Sequence, residues 1–374
     1  MNILLFRHRL LALQEKGSGL AYGISTILGI GASLYAGVGA ITGTASAVAV
    51  GASNAAGAGS STGAATVLGV GSSSSSVNYS FTSGSLPSGT TFTRGSSGTY
   101  FNSGGTLSTA STNAARFDYN PTTYAALGLL YEAQSTNNVK TSNMSGWITT
   151  ANASITLNSA TSPDGTVDAT LLTENTSSAA HGTSSQPSDY TYTSGTTYTA
   201  SVYLLAGTAT VAQMAFSGSA FPTSVYANFD LHNGVLGTVG GGATATITAV
   251  GNGWYRCTFT AAANASATTH TGDVYFTNNS TTASRLPSYT GTSKTLYAYG
   301  YQLEVGSVPT SFIATTGSAA TRATDALAFT IPSGVSTLQY TFDDNSTQNV
   351  SVSAGAYTVP TNLSRARIKT IQNV

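Results

Sequence analysis

Few side chains in this sequence are equipped for chemistry. Its four histidines, His8, His181, His232 and His270, are scattered, and none lies in a nucleophile elbow, a metal-ligand spacing or a phosphate loop. Cys257 is the single cysteine, which excludes an intrachain disulfide framework and leaves zinc without partners. Its place in the alternating run "GWYRCTFTA" reads as a packed core thiol. Catalysis is therefore not expected. Between Asn138 and Thr316 the carboxylates are Asp164, Asp168, Glu174, Asp189, Asp230, Asp273 and Glu304. Cleaving a glycosidic bond takes two carboxyl groups facing one sugar, and the spacing pairs none of these.

Aromatic rings offer binding instead. A ring can cover the apolar face of a pyranose while amides and hydroxyls take the sugar hydroxyls. Trp147, Tyr190, Tyr226, Tyr289 and Tyr301 are the candidates. Tyr297, Tyr299 and Tyr301 share one face of "LYAYGYQLE", which reads as a core row in preference to a platform. Trp254 and Tyr255 face opposite ways on one strand, so one of the two rings is expected in the core. Arg94, Arg116, Asp118 and Glu132 stand out because charge is scarce here. Isolated charges in such a setting need partners, so a buried or inter-subunit ion pair is expected.

The elements that hold these residues follow from composition and period. The chain has 374 residues, 41% hydrophobic and 7% charged, against about 25% charged in ordinary domains. With 20 Tyr and 13 Phe it does not read as disordered. The 13 basic and 13 acidic residues cancel, so no footprint for nucleic acid exists. From Gly17 to Thr93 there is no charged residue, yet glycines recur twenty apart: Gly17, Gly37 and Gly57; Gly23, Gly43 and Gly63; Gly31, Gly51 and Gly71. Larger apolar residues favour even positions between them, a period of two that means extended chain and argues against a membrane helix. Such a strand cannot bury its apolar face alone, so the repeat must stack on itself or on other copies. "GSSSSS" then reads as a linker.

Roughly seven to ten alternating runs follow between Asn138 and Thr316, among them "TTYTASVYLLA" and "TATITAVGNGWYRCTFTA", with turn residues between them; they read as a β-sandwich. "TLQYTFDDNSTQNVSVSAG" adds a hairpin in a smaller C-terminal β unit.

The phrases "TFTRGSSGTYFNSGGTLSTASTNAARFDYNPTTYAALGLLYEAQSTNN", "SPDGTVDATLLTEN", "TTYTASVYLLAG", "VGNGWYRCTFT" and "YAYGYQLEVGSVPTSFIATTGSAATRATD" occur in that order. Together they resemble the head-spike-fibre and tail-associated proteins of tailed bacteriophages and gene transfer agents. The resemblance runs from about Thr91 to Asp325. It departs where "EAQSTNNV" lacks the basic residue the family often carries after the LGLL phrase, and it leaves the N-terminal repeat uncovered. It implies a jelly roll similar to carbohydrate-binding modules, with Trp254 rather than Tyr255 as the core ring of its strand, a homotrimer, and a structural Ca²⁺ candidate at Asp164, Asp168 and Glu304, whose oxygens would suit that ion.

The expected organisation is all-β: a virion anchor at 1–16, a Gly/Ala-rich repeat stalk with its Ser linker at 17–76, a β connector at 77–137, a jelly roll at 138–316 and a small β domain at 317–374. The expected role is that of a virion fibre or spike presenting a host-glycan-binding surface on the particle exterior. Its expected partners are itself, other virion proteins through Met1 to Lys16 and the repeat, and a host glycan. A capsid decoration protein without ligand and a fibre-borne polysaccharide depolymerase are the alternatives.

Overall fold

The computed structural model describes residues 26–30, 46–50, 76–148, 152–186 and 189–374. Every regular element among them is a β-strand. Among the described residues no helix is long and apolar enough to cross a membrane. The chain divides into two compact units, Met1–Ser76 and Val77–Val374.

In the first unit, strands Thr26–Ile30 and Ser46–Val50 pair in parallel. Thr26 sits opposite Ser46 and Ile30 opposite Val50, so every partner is twenty residues away. The pairing offset equals the sequence period. The expected anchor at Met1 to Lys16, His8 and the remainder of the repeat lie outside the described residues.

The second unit is built on two cores. One is a sandwich. Its six-stranded antiparallel sheet runs in the order Ala153–Thr161, Val167–Glu174, Thr295–Val305, Thr197–Ala206, Trp254–Ala262, Ala243–Ala249. Its five-stranded sheet runs Gly182–Ser184, Asp273–Phe276, Val211–Ala215, Tyr226–Asp230, Val235–Val239. Leu172, Val202, Leu204, Cys257, Phe259 and Leu303 from the first meet Met214, Phe229, Val274 and Phe276 from the second. Short strands such as Gly182–Ser184 carry no apolar alternation, and so the strands outnumber the runs visible in the sequence.

Burial follows position in the sheet. The edge strand Ala243–Ala249 alternates between half-buried and exposed, whereas most of the central strand Thr197–Ala206 is buried on both faces. Its outer face is covered because the hairpin of Gly98–Phe101 and Leu107–Ala110 packs Phe101 and Leu107 against Tyr203, Trp254, Tyr299 and Phe312.

The other core joins segments that the sequence reading separated. Asn78–Ser80, Phe117–Tyr119 and Ala126–Leu130 from the connector share a sheet with Thr337–Phe342, Thr347–Ser351 and Arg367–Asn373 from the C-terminal segment. Thr91–Thr93 pairs with Ala326–Ile331 in a second sheet. Phe81, Phe92, Leu129, Leu327, Tyr340 and Ile368 fill the space between them. Connector and C-terminal segment thus form one discontinuous body, with the sandwich inserted between its halves. The chain leaves through Ser135–Asn137 and returns through Ala320–Arg322, and these two strands pair antiparallel as a neck.

Candidate functional site

The scarce charges converge at that neck. The Arg94 guanidinium lies 3.2 Å from Asp325 Oδ1, and Arg116 lies 2.6 Å from Asp325 Oδ2 and 2.9 Å from Glu132. Arg322 approaches Glu132 at 3.4 Å. Arg94, Arg116, Arg322 and Asp325 are at most 1% exposed and Glu132 8%. Backbone groups join the network: Arg94 donates to the carbonyls of Ser96, Ala110 and Ser111, and the Glu132 amide donates to Asp325, while the Nε groups of Arg116 and Arg322 are left without an acceptor. Burial opposes charge on Glu132, but Arg116, Arg322 and two donors from Ser311 outweigh it and hold its carboxyl down at about 2. At Gly98 an added Cβ would stand 3.2 Å from both Arg side chains, so a larger residue there would press on the guanidinium stems.

The ion pair expected at Arg94, Arg116, Asp118 and Glu132 is therefore present within one chain. Asp118 bonds Arg367 at 2.6 Å, tying the connector to the last strand. Sequence reasoning missed Arg322 and Asp325. Their signal was the same scarcity of charge, in "ATRATDALAF". The network is buried and its carboxylates are held by arginines and by Ser311, so its work is to lock the neck.

The expected sugar-binding rings are dispersed. Trp147 is 6% exposed, stands edge-on to Tyr301 at 4.9 Å and donates its indole N–H to the Thr141 carbonyl. Tyr301 is fully buried. Both belong to the sandwich core, so neither ring can stack on a sugar, and those two assignments are corrected. Tyr190 is half-buried and packs edge-on to Tyr192 and Tyr198. Tyr289 is half-buried, stacks near His181 and donates its hydroxyl to Glu174. Tyr226 is half-buried on a strand of the five-stranded sheet. No common surface gathers the five. Trp254 is buried, as read, but in the cluster under the hairpin, while Tyr255 leans on the main core.

The calcium set also separates. Asp164 accepts from Ser162, Thr166 and Tyr299 at its turn. Burial raises its pKa, but these donors prevail and leave it below the usual range. Asp168, close by, is pushed up by burial and by the Asp164 charge. Glu304 lies five residues beyond Tyr299 on one strand, about 16 Å along it, and accepts from Ser135, Gln302 and Thr310. Among the described residues no three metal-ligating side chains converge.

The other carboxylates are likewise engaged. Asp230 caps His232 and Asn233, and Asp189 pairs with Lys140 at 2.9 Å. Asp273 lies between the Ser184 hydroxyl at 2.5 Å and His270 Nε2 at 3.0 Å. In that trio the carboxylate is central, so the serine has no imidazole to take its proton.

Among the described residues several grooves are open, one of about 430 Å³ beside Arg256 and Arg367, and a smaller one carries a feature that no sequence signal marked. Four turns line a groove of about 280 Å³, with Thr106, Thr122, Tyr124, Ser162, Asn252 and Trp254 among its residues. Tyr124 is 57% exposed and has φ +60°, a left-handed conformation that is rare for a bulky side chain. A comparison with protein-family models finds no match for the chain, and a comparison with curated proteins finds none either.

Proposed function

We propose that the protein is a structural component of a tailed-phage-like particle, a fibre or spike whose repeat forms a self-associating stalk and whose jelly-roll sandwich presents a binding surface for host glycan. The observation that carries this reading is the parallel pairing of Thr26–Ile30 with Ser46–Val50 at the repeat's own period. A charge-free sequence that pairs in step with its period extends as a stack. Its neighbouring repeats, or those of other copies, cover the faces one strand leaves open. The ordered resemblance from Thr91 to Asp325 supplies the particle context. The engagement of most sandwich carboxylates in turns and caps favours binding over hydrolysis.

Sedimentation of the full chain beside a chain starting at Val77 tests the stalk. The full chain is expected to sediment as a homo-oligomer, with three copies the leading expectation, and the shortened chain as a smaller species. Identical monomeric behaviour of both would overturn the reading.

A further inference from the structure

Tyr124 exposes more than half of its surface while its backbone sits in a conformation that favours glycine. Strain of this kind persists only where the surroundings over-determine it, and it concentrates at ligand-binding positions. The surroundings here do so. Asn120 Oδ1 accepts from the amides of Thr122 and Thr123 and from the Thr122 hydroxyl. The Tyr124 amide returns to the Asn120 carbonyl at 2.8 Å, and the Asn120 amide to that of Ala125 at 2.9 Å. The loop is closed on itself and holds the ring out.

Gly105 completes the mounting. An added Cβ there would come within 2.6 Å of both the Pro121 carbonyl and Tyr124 Cε1, so the hairpin turn approaches the ring closely. Beside the ring, the groove offers the Thr106 hydroxyl, the Thr122 hydroxyl oxygen as an acceptor, since its proton goes to Asn120, and the amide of exposed Asn252. Its walls come from both bodies of the unit. Trp254, at its floor, bonds the Thr161 carbonyl at 3.1 Å, and Leu107 bonds that of Pro163 at 3.0 Å. A preorganised ring beside neutral donors and acceptors, with no charged group lining the groove, has the chemistry that recognises an uncharged sugar.

We infer that this groove, with Tyr124 as its stacking platform, is a saccharide-binding site, an assignment that rests on reading the protein as a glycan-binding particle component. About 280 Å³ lies at the small end of ligand sites, which suits one or two sugar rings of a longer chain. Binding through several copies then supplies avidity.

The test is retention of the full-length protein on a printed array of bacterial O-antigen and capsular oligosaccharides, with Tyr124→Ala and Tyr124→Phe beside the parent. The expected result is binding by the parent, a loss of about tenfold or more for Tyr124→Ala and near-parent binding for Tyr124→Phe. Thermal melting should be unchanged in both variants, because the ring is exposed. Parent-like retention of Tyr124→Ala overturns the groove assignment and leaves the glycan reading standing. Absence of binding by the parent overturns both. Loss of self-association in Tyr124→Ala without loss of sugar binding identifies a second copy of the chain as the occupant and overturns the assignment.

Discussion

Replacing Glu132 by Gln keeps the shape of the side chain but leaves Arg116 and Arg322 facing a neutral amide inside the protein. Breaking a buried ion network from one side costs about 3–5 kcal/mol, because the remaining charge is left uncompensated. The same residue sets a pH dependence. Its carboxyl titrates near 4.5 when free and at about 2 in the folded chain. A depressed carboxyl contributes stability that is fully present above 4.5 and is lost as pH falls from 4.5 through 2. Chemical denaturation of the parent should show stability dropping across that window. Glu132→Gln should be less stable at neutral pH and should show a smaller drop, the remainder coming from other depressed carboxyls such as Asp164 and Asp230. Equal pH profiles for the two proteins would remove Glu132 from the network's energetics.

At the scale of elements, alternation made the strands legible. "TTYTASVYLLA" and "TLQYTF" announce themselves by period two, and Cys257 sits in the core its strand implied. Pairing between distant segments was not legible. Thr136 meets Thr321 across 185 residues, and nothing in either run names the other. Ring burial failed for the same reason: Trp147 and Tyr124 both sit near turn residues, and only the packed neighbours decide that the first is core and the second exposed. The neck carries its own expectation. Asn137 and Ala320 are cross-strand partners, so removing residues 138–319 and closing the gap with a short Gly-containing turn should leave the discontinuous body folded. Its melting temperature should fall, since Phe101, Leu107 and the Ser311 contacts lose their partners, yet the transition should stay cooperative in calorimetry. A chain with no cooperative transition would show that the two cores fold only together.

For the molecule as a whole, a charge-free repeat that begins at Gly17 precedes a unit whose inserted sandwich enters and leaves through one ion-locked neck. Both ends of the insertion are fixed at one place, and Asn78–Ser80 runs beside Arg367–Asn373, so both ends of the unit also meet in one sheet. Under the proposed function the sandwich projects from a particle. The direct measurement is electron microscopy of particles carrying the protein, labelled with gold-conjugated antibody against the sandwich. The account expects gold on projections standing clear of the particle surface. Gold lying flush on the shell would favour a decoration protein, and particles without label would contradict the account altogether.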